Sequence, residues 1–151
     1  MKSQPADARS VSLLRTLAEF RYELRSFLHF SERSALEAGL QPQQHQLLLQ
    51  VAGALPATTV TIAYAAGRLG IKHNSAVELV DRSEREGLLT RTADPTDGRR
   101  MILRVTRKGK QILDRLAGDH ARELSELAPR LARTLQHIRL HAHNGAGVEA
   151  R

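Results

Sequence analysis

Apolar residues recur at helical spacing near the start of the chain and predict a long helix from Val11 to Glu37. They follow one another at intervals of 4, 3, 4 and 3 residues: Leu13, Leu17, Phe20, Leu24 and Phe27. Such a stripe is typical of a helix that packs against another helix. Residues 1–8 are expected to form a flexible lead. Gly39 is suited to left-handed backbone just beyond the helix.

A second helix is predicted from Pro42 to Ala52. Proline suits the first position because the N–H group that it lacks would be unpaired there. Apolar residues surround this helix on nearly all sides, as is typical of a buried helix: Leu47, Leu48, Leu49 and Val51.

The next segment has the pattern of a helix-turn-helix motif. Thr61 can cap a short helix, Ile62 to Leu69, and a second helix is predicted from Asn74 or Ser75 to Glu86. A tight turn that contains a glycine joins them. This arrangement is typical of proteins that read DNA with the second helix.

A β-hairpin is predicted directly after this motif, with strands at Leu88–Thr92 and Met101–Val105. The segment between them contains Asp-Pro and Asp-Gly pairs, which favour turns. From Gly98 to Lys110 the chain carries six basic residues and no acid. A hairpin with a basic tip after a helix-turn-helix indicates a wing.

The C-terminal third is helical by its apolar spacing, and Pro129 is expected to interrupt it. We therefore predict two helices, about Lys110 to Leu127 and Pro129 to His141. Residues 144–151 are rich in Gly and Ala and are expected to fray.

Composition excludes several classes of protein. The 151 residues contain no cysteine, which rules out disulfides, thiolate metal sites and cysteine nucleophiles. No apolar run approaches the ~20 residues of a membrane span, and the N-terminus lacks the apolar core of a signal peptide. No catalytic or phosphate-binding motif appears. We expect a cytoplasmic protein that is not an enzyme, has no cofactor and does not bind membranes.

The net charge of +7 favours an anionic partner, nucleic acid before membrane. Only four of the 23 basic side chains are lysines. Arginine suits contacts with phosphate and guanine, but a GC-rich genome would also enrich it. Arginine usage alone therefore does not decide between these explanations.

The order of elements and several short strings together resemble the MarR family of winged helix-turn-helix transcriptional regulators. The strings lie at residues 39–44, 66–71, 75–82, 86–89, 94–100 and 106–109. The resemblance covers roughly Arg9 to Ile138. It implies a mainly α fold in which residues 1–151 form one protomer. Residues 9–38 and 110–143 would be dimerisation helices, and residues 42–109 the DNA-binding lobe with a two-stranded wing.

The resemblance further implies a homodimer on double-stranded DNA with a pseudo-palindromic operator. The second helix of the motif would enter the major groove and the wing the minor groove. The expected function is repression that a small phenolic or other anionic aromatic ligand relieves. The alternative is a constitutive DNA-binding or nucleoid-type basic protein without an effector.

Arg99 at the wing tip is the foremost candidate for a DNA contact. The resemblance implies that Arg99 enters the minor groove and that Asp97 holds its guanidinium; the alternative is a solvent-exposed salt bridge in a turn. Arg100 is either a phosphate contact or a strand residue.

The second helix supplies the other candidates: Lys72, His73, Asn74, Ser75, Glu78 and Arg82. Asn74 can pair with adenine, and the helix N-terminus can bind phosphate. Ser75 is alternatively the N-cap of the helix. Glu78 can accept a hydrogen bond from cytosine or pair with Arg82.

Histidines raise two further questions. His137, His141 and His143 have metal-like spacing, but no carboxylate lies near them in sequence, so a solvated tail is favoured and no metal is expected. The resemblance implies an effector cleft between the dimer lobe and the DNA-binding lobe, and four residues are candidates to line it and hold an anionic aromatic ligand: Tyr22, Arg25, His29 and His45. For each residue alone, interface packing or surface exposure is the favoured explanation.

Overall fold

The computed structural model describes residues 5–146, with the side chains of residues 10–143. Its elements follow one another in the predicted order. They are α1 (Pro5–Glu37), α2 (Pro42–Ala52), α3 (Ile62–Leu69), α4 (His73–Arg85), β1 (Leu89–Ala93), β2 (Met101–Val105) and α5 (Arg107–Ala146). The fold is mainly helical with one antiparallel hairpin, as the sequence predicts.

The chain forms two compact units, which divide α1 after Phe30 and α5 before His120. The helix-turn-helix and the wing lie in the unit Ser31–Asp119. The other unit contains the remaining parts of α1 and α5. Among the described residues, no helix combines the length and the apolar character that crossing a membrane requires.

One apolar core holds the helix-turn-helix unit together. Leu47 and Leu48 of α2 are completely buried in it, whereas Leu49 is exposed, so α2 is not buried on all sides. The core residues are Ala35, Leu40, Leu47, Leu48, Val51, Val60, Ala65, Leu79, Val80, Leu88, Leu89, Leu103, Leu113 and Leu116. Burial of these apolar side chains is the main source of stability in this unit.

The hairpin is fixed to α3 through the segment before it. The pairing of β1 with β2 places Leu89 opposite Val105 and Ala93 opposite Met101. The backbone N–H of Leu103 donates to the Val60 carbonyl at 2.8 Å. The wing therefore starts from a rigid base.

Helix boundaries in the motif follow local chemistry. Thr61 caps α3, because its hydroxyl accepts a hydrogen bond from the backbone N–H of Tyr64 at 3.1 Å. Gly70 ends α3 with a φ of 64°, in the left-handed region. The alternative that Ser75 is an N-cap is wrong: extended Lys72 occupies that position, and α4 begins at His73.

Pro129 does not divide the C-terminal helix, so the prediction of two helices is wrong. Proline removes one backbone hydrogen bond, but tertiary contacts on either side can hold the helix together. Leu127 is buried, and Arg130 forms an ion pair with Glu23 of α1, with Nε and Oε1 3.2 Å apart.

The chain termini are more helical than the sequence indicated. Helix α1 begins at Pro5, which suits a first helical position and is followed by alanines, so a lead of eight flexible residues is wrong. Residues 144–146 belong to α5. The rest of the expected lead and of the fraying tail, residues 1–4 and 147–151, lies outside the described residues.

Candidate DNA-binding surface

Helix α4 has one buried face and one exposed face. Ala76, Leu79, Val80 and Ser83 are buried against the core of the unit. The candidate contacts are all exposed: Lys72, His73, Asn74, Ser75, Glu78 and Arg82. The structure thus presents the predicted residues together on the N-terminal and outward side of α4.

Glu78 and Arg82 remain separate in the part of the chain that the structure describes. No ion pair joins them, although they stand one turn apart. Both charged ends are therefore available for contacts outside the protomer, and the helical pairing that the sequence offered as an alternative for Glu78 is not formed.

Arg91 of β1 ties the wing to α4. Its guanidinium meets Glu84, with Nη2 and Oε2 2.6 Å apart, and Asp81, with Nη1 and Oδ1 2.7 Å apart. The backbone N–H of Arg91 also donates to Glu84, at 3.1 Å. Hydrogen bonding to Glu84 is the largest cause that raises the pKa of Arg91. This cluster was not predicted from the sequence, because nothing local indicates that Arg91 faces two acids of the preceding helix.

Asp94 organises the turn at the start of the wing tip. Asp94 is buried, and its Oδ1 accepts hydrogen bonds from the Thr96 N–H at 2.9 Å and the Thr96 hydroxyl at 2.8 Å. These bonds are the main cause that lowers the pKa of Asp94. Arg100 reaches the other carboxylate oxygen, with Nη2 and Oδ2 2.9 Å apart.

Asp97 does not hold the Arg99 guanidinium, which corrects that expectation. Its Oδ1 accepts from the backbone N–H of Arg99 at 3.1 Å, and its Oδ2 lies 3.5 Å from Nε of Arg100. A residue two positions away presents its backbone to a turn carboxylate more readily than its side chain. Among the described residues no acid pairs with Arg99, and its side chain is exposed.

The candidate effector residues differ in exposure and in the unit to which they belong. Tyr22, Arg25 and His29 lie at i, i+3 and i+7 on α1 and are exposed, with Tyr22 at 67%. His45 lies on α2 in the other unit and is only 3% exposed.

A helix-turn-helix followed by a two-stranded hairpin with a basic tip defines a winged helix-turn-helix protein. Residues 38–100 match the model of the MarR family. The putative transcriptional regulatory protein for the hcr operon of Thauera aromatica is 27% identical over 112 residues, which cover 74% of this chain and 66% of that protein. The aligned segment thus spans slightly less than two thirds of that relative.

Solved structures share the fold. A MarR family protein from Bacillus stearothermophilus is 21% identical, with a TM-score of 0.67 and coverage of 91% of this chain and 97% of that chain. CouR from Rhodococcus jostii RHA1, bound to p-coumaroyl-CoA, is 23% identical, with a TM-score of 0.58 over 75% and 83%. A MepR mutant from S. aureus, bound to an oligodeoxyribonucleotide, is 16% identical, with a TM-score of 0.62 over 85% and 93%. The DNA-binding part of the chain thus matches the MarR family of transcriptional regulators, and the fold is that of solved MarR family proteins.

Proposed function

We propose that this chain is a sequence-specific DNA-binding regulator that acts as a homodimer on a pseudo-palindromic operator. The observation that carries the proposal is the joining of two exposed features, the outward face of α4 and the basic wing tip, by the Arg91 cluster. Such a protein works beside chromosomal DNA in the cytoplasm and needs neither a cofactor nor a catalytic site. The MepR mutant bound to an oligodeoxyribonucleotide supports this use of the fold.

Helix α4 reads the major groove in this proposal. Its first backbone N–H groups are unpaired by any helical carbonyl, so they favour a phosphate, beside the exposed ammonium of Lys72. Asn74 can donate to N7 and accept from N6 of adenine in one bidentate contact. Glu78 is assigned to a cytosine amino group, because it makes no ion pair with Arg82.

The wing reads the minor groove through Arg99. Because Arg99 has no acidic partner among the described residues, it breaks no ion pair there when it enters a groove of negative potential. Arg100 is already bound by Asp94 and Asp97. We therefore assign Arg100 to shaping the wing tip and Arg99 to the DNA contact.

Exposed apolar side chains support the homodimer. The unit formed by the outer parts of α1 and α5 leaves many of them uncovered: Val11, Leu14, Leu17, Leu24, Leu28, Leu124, Leu135 and Leu140. So many exposed apolar residues on two adjacent helices are typical of a protein interface. The full chain is expected to sediment as a dimer at micromolar concentration, and a stable folded monomer would contradict the proposal.

A phenolic or other anionic aromatic ligand is proposed to release the dimer from DNA. The p-coumaroyl-CoA bound to CouR supports this chemical class. Tyr22, Arg25 and His29 offer a ring, a cation and an imidazole on one exposed face of α1. His45 is not part of this proposal, because its side chain is buried within its own unit.

Binding to a labelled fragment of the gene's own promoter region tests the function. A specific regulator should remain bound in a large excess of unrelated DNA, because specific sites typically bind 10³–10⁷ times more tightly than non-specific DNA. A phenolic acid such as p-coumarate, or its coenzyme A thioester, should then release the fragment. Loss of binding to competitor DNA would support the nucleoid-type alternative, and retention with every such ligand would support constitutive binding.

A further inference from the structure

Two histidines stand one turn apart near the end of α5. The ring centroids of His137 and His141 are 5.0 Å apart, with the ring planes at 72°. The sequence interpretation of a solvated tail placed these residues at a fraying helix end. In the structure α5 continues to Ala146, so both imidazoles project from one face of an intact helix.

The hydrogen bonds of Thr16 indicate which nitrogen of His137 carries a proton. The Thr16 hydroxyl lies 2.9 Å from the Ser12 carbonyl oxygen, to which it can donate its one hydrogen. With that hydrogen on the carbonyl, the Thr16 oxygen accepts from His137 Nδ1, which lies 3.0 Å away. Its Nε2 is then left with the lone pair that a metal ion requires.

This arrangement matches the surroundings of protein metal sites. A metal-binding histidine usually donates its other ring N–H to an oxygen, which orients the ring and fixes the tautomer. Here Thr16 and the Ser12 carbonyl supply that support from α1. No local sequence pattern indicates this contact, because Thr16 and His137 are 121 residues apart.

The surroundings leave room for an ion and its waters. His137 borders a groove of about 560 Å³ between α1 and α5. The groove is lined by Ser12, Arg15, Thr16, Glu19, Arg133, Thr134, Gln136, His137 and Leu140. The positive charges of Arg15 and Arg133 repel a divalent cation and lower its affinity for this groove. A chelator should therefore readily remove the bound ion.

We propose that His137 and His141 form a two-histidine site for a borderline transition-metal ion, with water as the other ligands. Within the described residues no cluster of three metal-ligating side chains occurs, so the described part of the chain supplies these two histidines as ligands. Imidazole prefers Cu²⁺, Ni²⁺ and Zn²⁺ to Mg²⁺ or Ca²⁺. Affinity should follow the order Cu²⁺ > Ni²⁺ > Co²⁺ > Mn²⁺.

His143 provides a matched control on the same helix. It is exposed, and its Nδ1 lies 3.0 Å from the carbonyl oxygen of Arg139, one turn earlier. A position two residues beyond His141 lies on a different face of the helix. It is therefore outside the proposed site although it is equally near the chain end.

Calorimetric titration of the full chain with Ni²⁺ tests the site. His137→Gln and His141→Gln should each weaken binding at least about tenfold, and Thr16→Val should weaken it by about 10–100-fold through loss of the supporting hydrogen bond. His143→Gln should bind Ni²⁺ like the unaltered chain. Circular dichroism without metal should show unchanged helix content in all four variants.

Copper provides a second readout that does not depend on substitutions. Electron paramagnetic resonance of the Cu²⁺ complex of the unaltered chain should show coupling to two imidazole nitrogens. A spectrum without nitrogen coupling would overturn the proposal. The proposal would also be overturned if His137→Gln left Ni²⁺ affinity unchanged. If His143→Gln weakened Ni²⁺ binding as much as His137→Gln does, the result would indicate general binding to a histidine-rich segment and would equally overturn it.

Discussion

Replacing Arg99 with Ala is expected to weaken operator binding by about 3–6 kcal/mol, or about 10²–10⁴-fold. Each protomer loses one charge-assisted contact of about 1.5–3 kcal/mol, and the two losses add because the wings of a dimer contact separate sites. The guanidinium is exposed and makes no ion pair among the described residues, so its whole interaction energy is available to DNA. A fluorescence titration on operator DNA measures the loss.

Arg115→Ala is the matched control for this substitution. Arg115 is exposed on α5 in the same unit and lies outside the helix-turn-helix and the wing. Arg115→Ala removes the same charge as Arg99→Ala and should leave operator affinity nearly unchanged. If Arg99→Ala binds the operator like the unaltered chain, the assignment of the wing tip is wrong.

Asn74→Ala separates the helix from the wing. It should relax base preference at one position in each half-site by about 1–3 kcal/mol, while Arg99→Ala should leave preference at the major-groove positions largely intact. Titrations of both variants on operator and scrambled DNA show the difference. Thermal unfolding of Arg99→Ala should match the unaltered chain, because an exposed side chain contributes little packing.

The fold was predictable where the chain carries strong local signals. Thr61 with Gly70, and the Asp-Pro and Asp-Gly pairs of the wing, mark turns whose chemistry depends on neighbours in sequence. Pro129 misled the prediction for the converse reason. Its local effect is to weaken a helix, but the buried Leu127 and the Glu23–Arg130 ion pair are tertiary contacts that periodicity cannot reveal.

The candidate site likewise contains some features that could be predicted from the sequence and others that could not. Exposure of Lys72 through Ser75 followed from their place at the start of an amphipathic helix. The partners of Asp97 could not be predicted from the sequence. Its carboxylate can reach either the backbone of Arg99 or the side chain of Arg100. In the structure the buried Asp94 forms an ion pair with Arg100, which holds the Arg100 side chain close to the turn. The Arg91 cluster required the hairpin and α4 to be placed together.

Operator affinity is expected to fall by about 10³–10⁵-fold between 50 and 200 mM salt. This range applies if the two protomers contact about 6–10 phosphates through their wings and the N-termini of α4, because each neutralised phosphate releases condensed counterions. The uninterrupted basic stretch from Gly98 to Lys110 and the exposed Lys72 provide the charge for these contacts. Titrations across this range give the slope of log affinity against log salt. Lys72→Ala should reduce that slope by about 1 for each protomer and weaken all DNA sequences alike, whereas Asn74→Ala should leave it unchanged. A response that is flat in salt would contradict phosphate binding by the wing and α4.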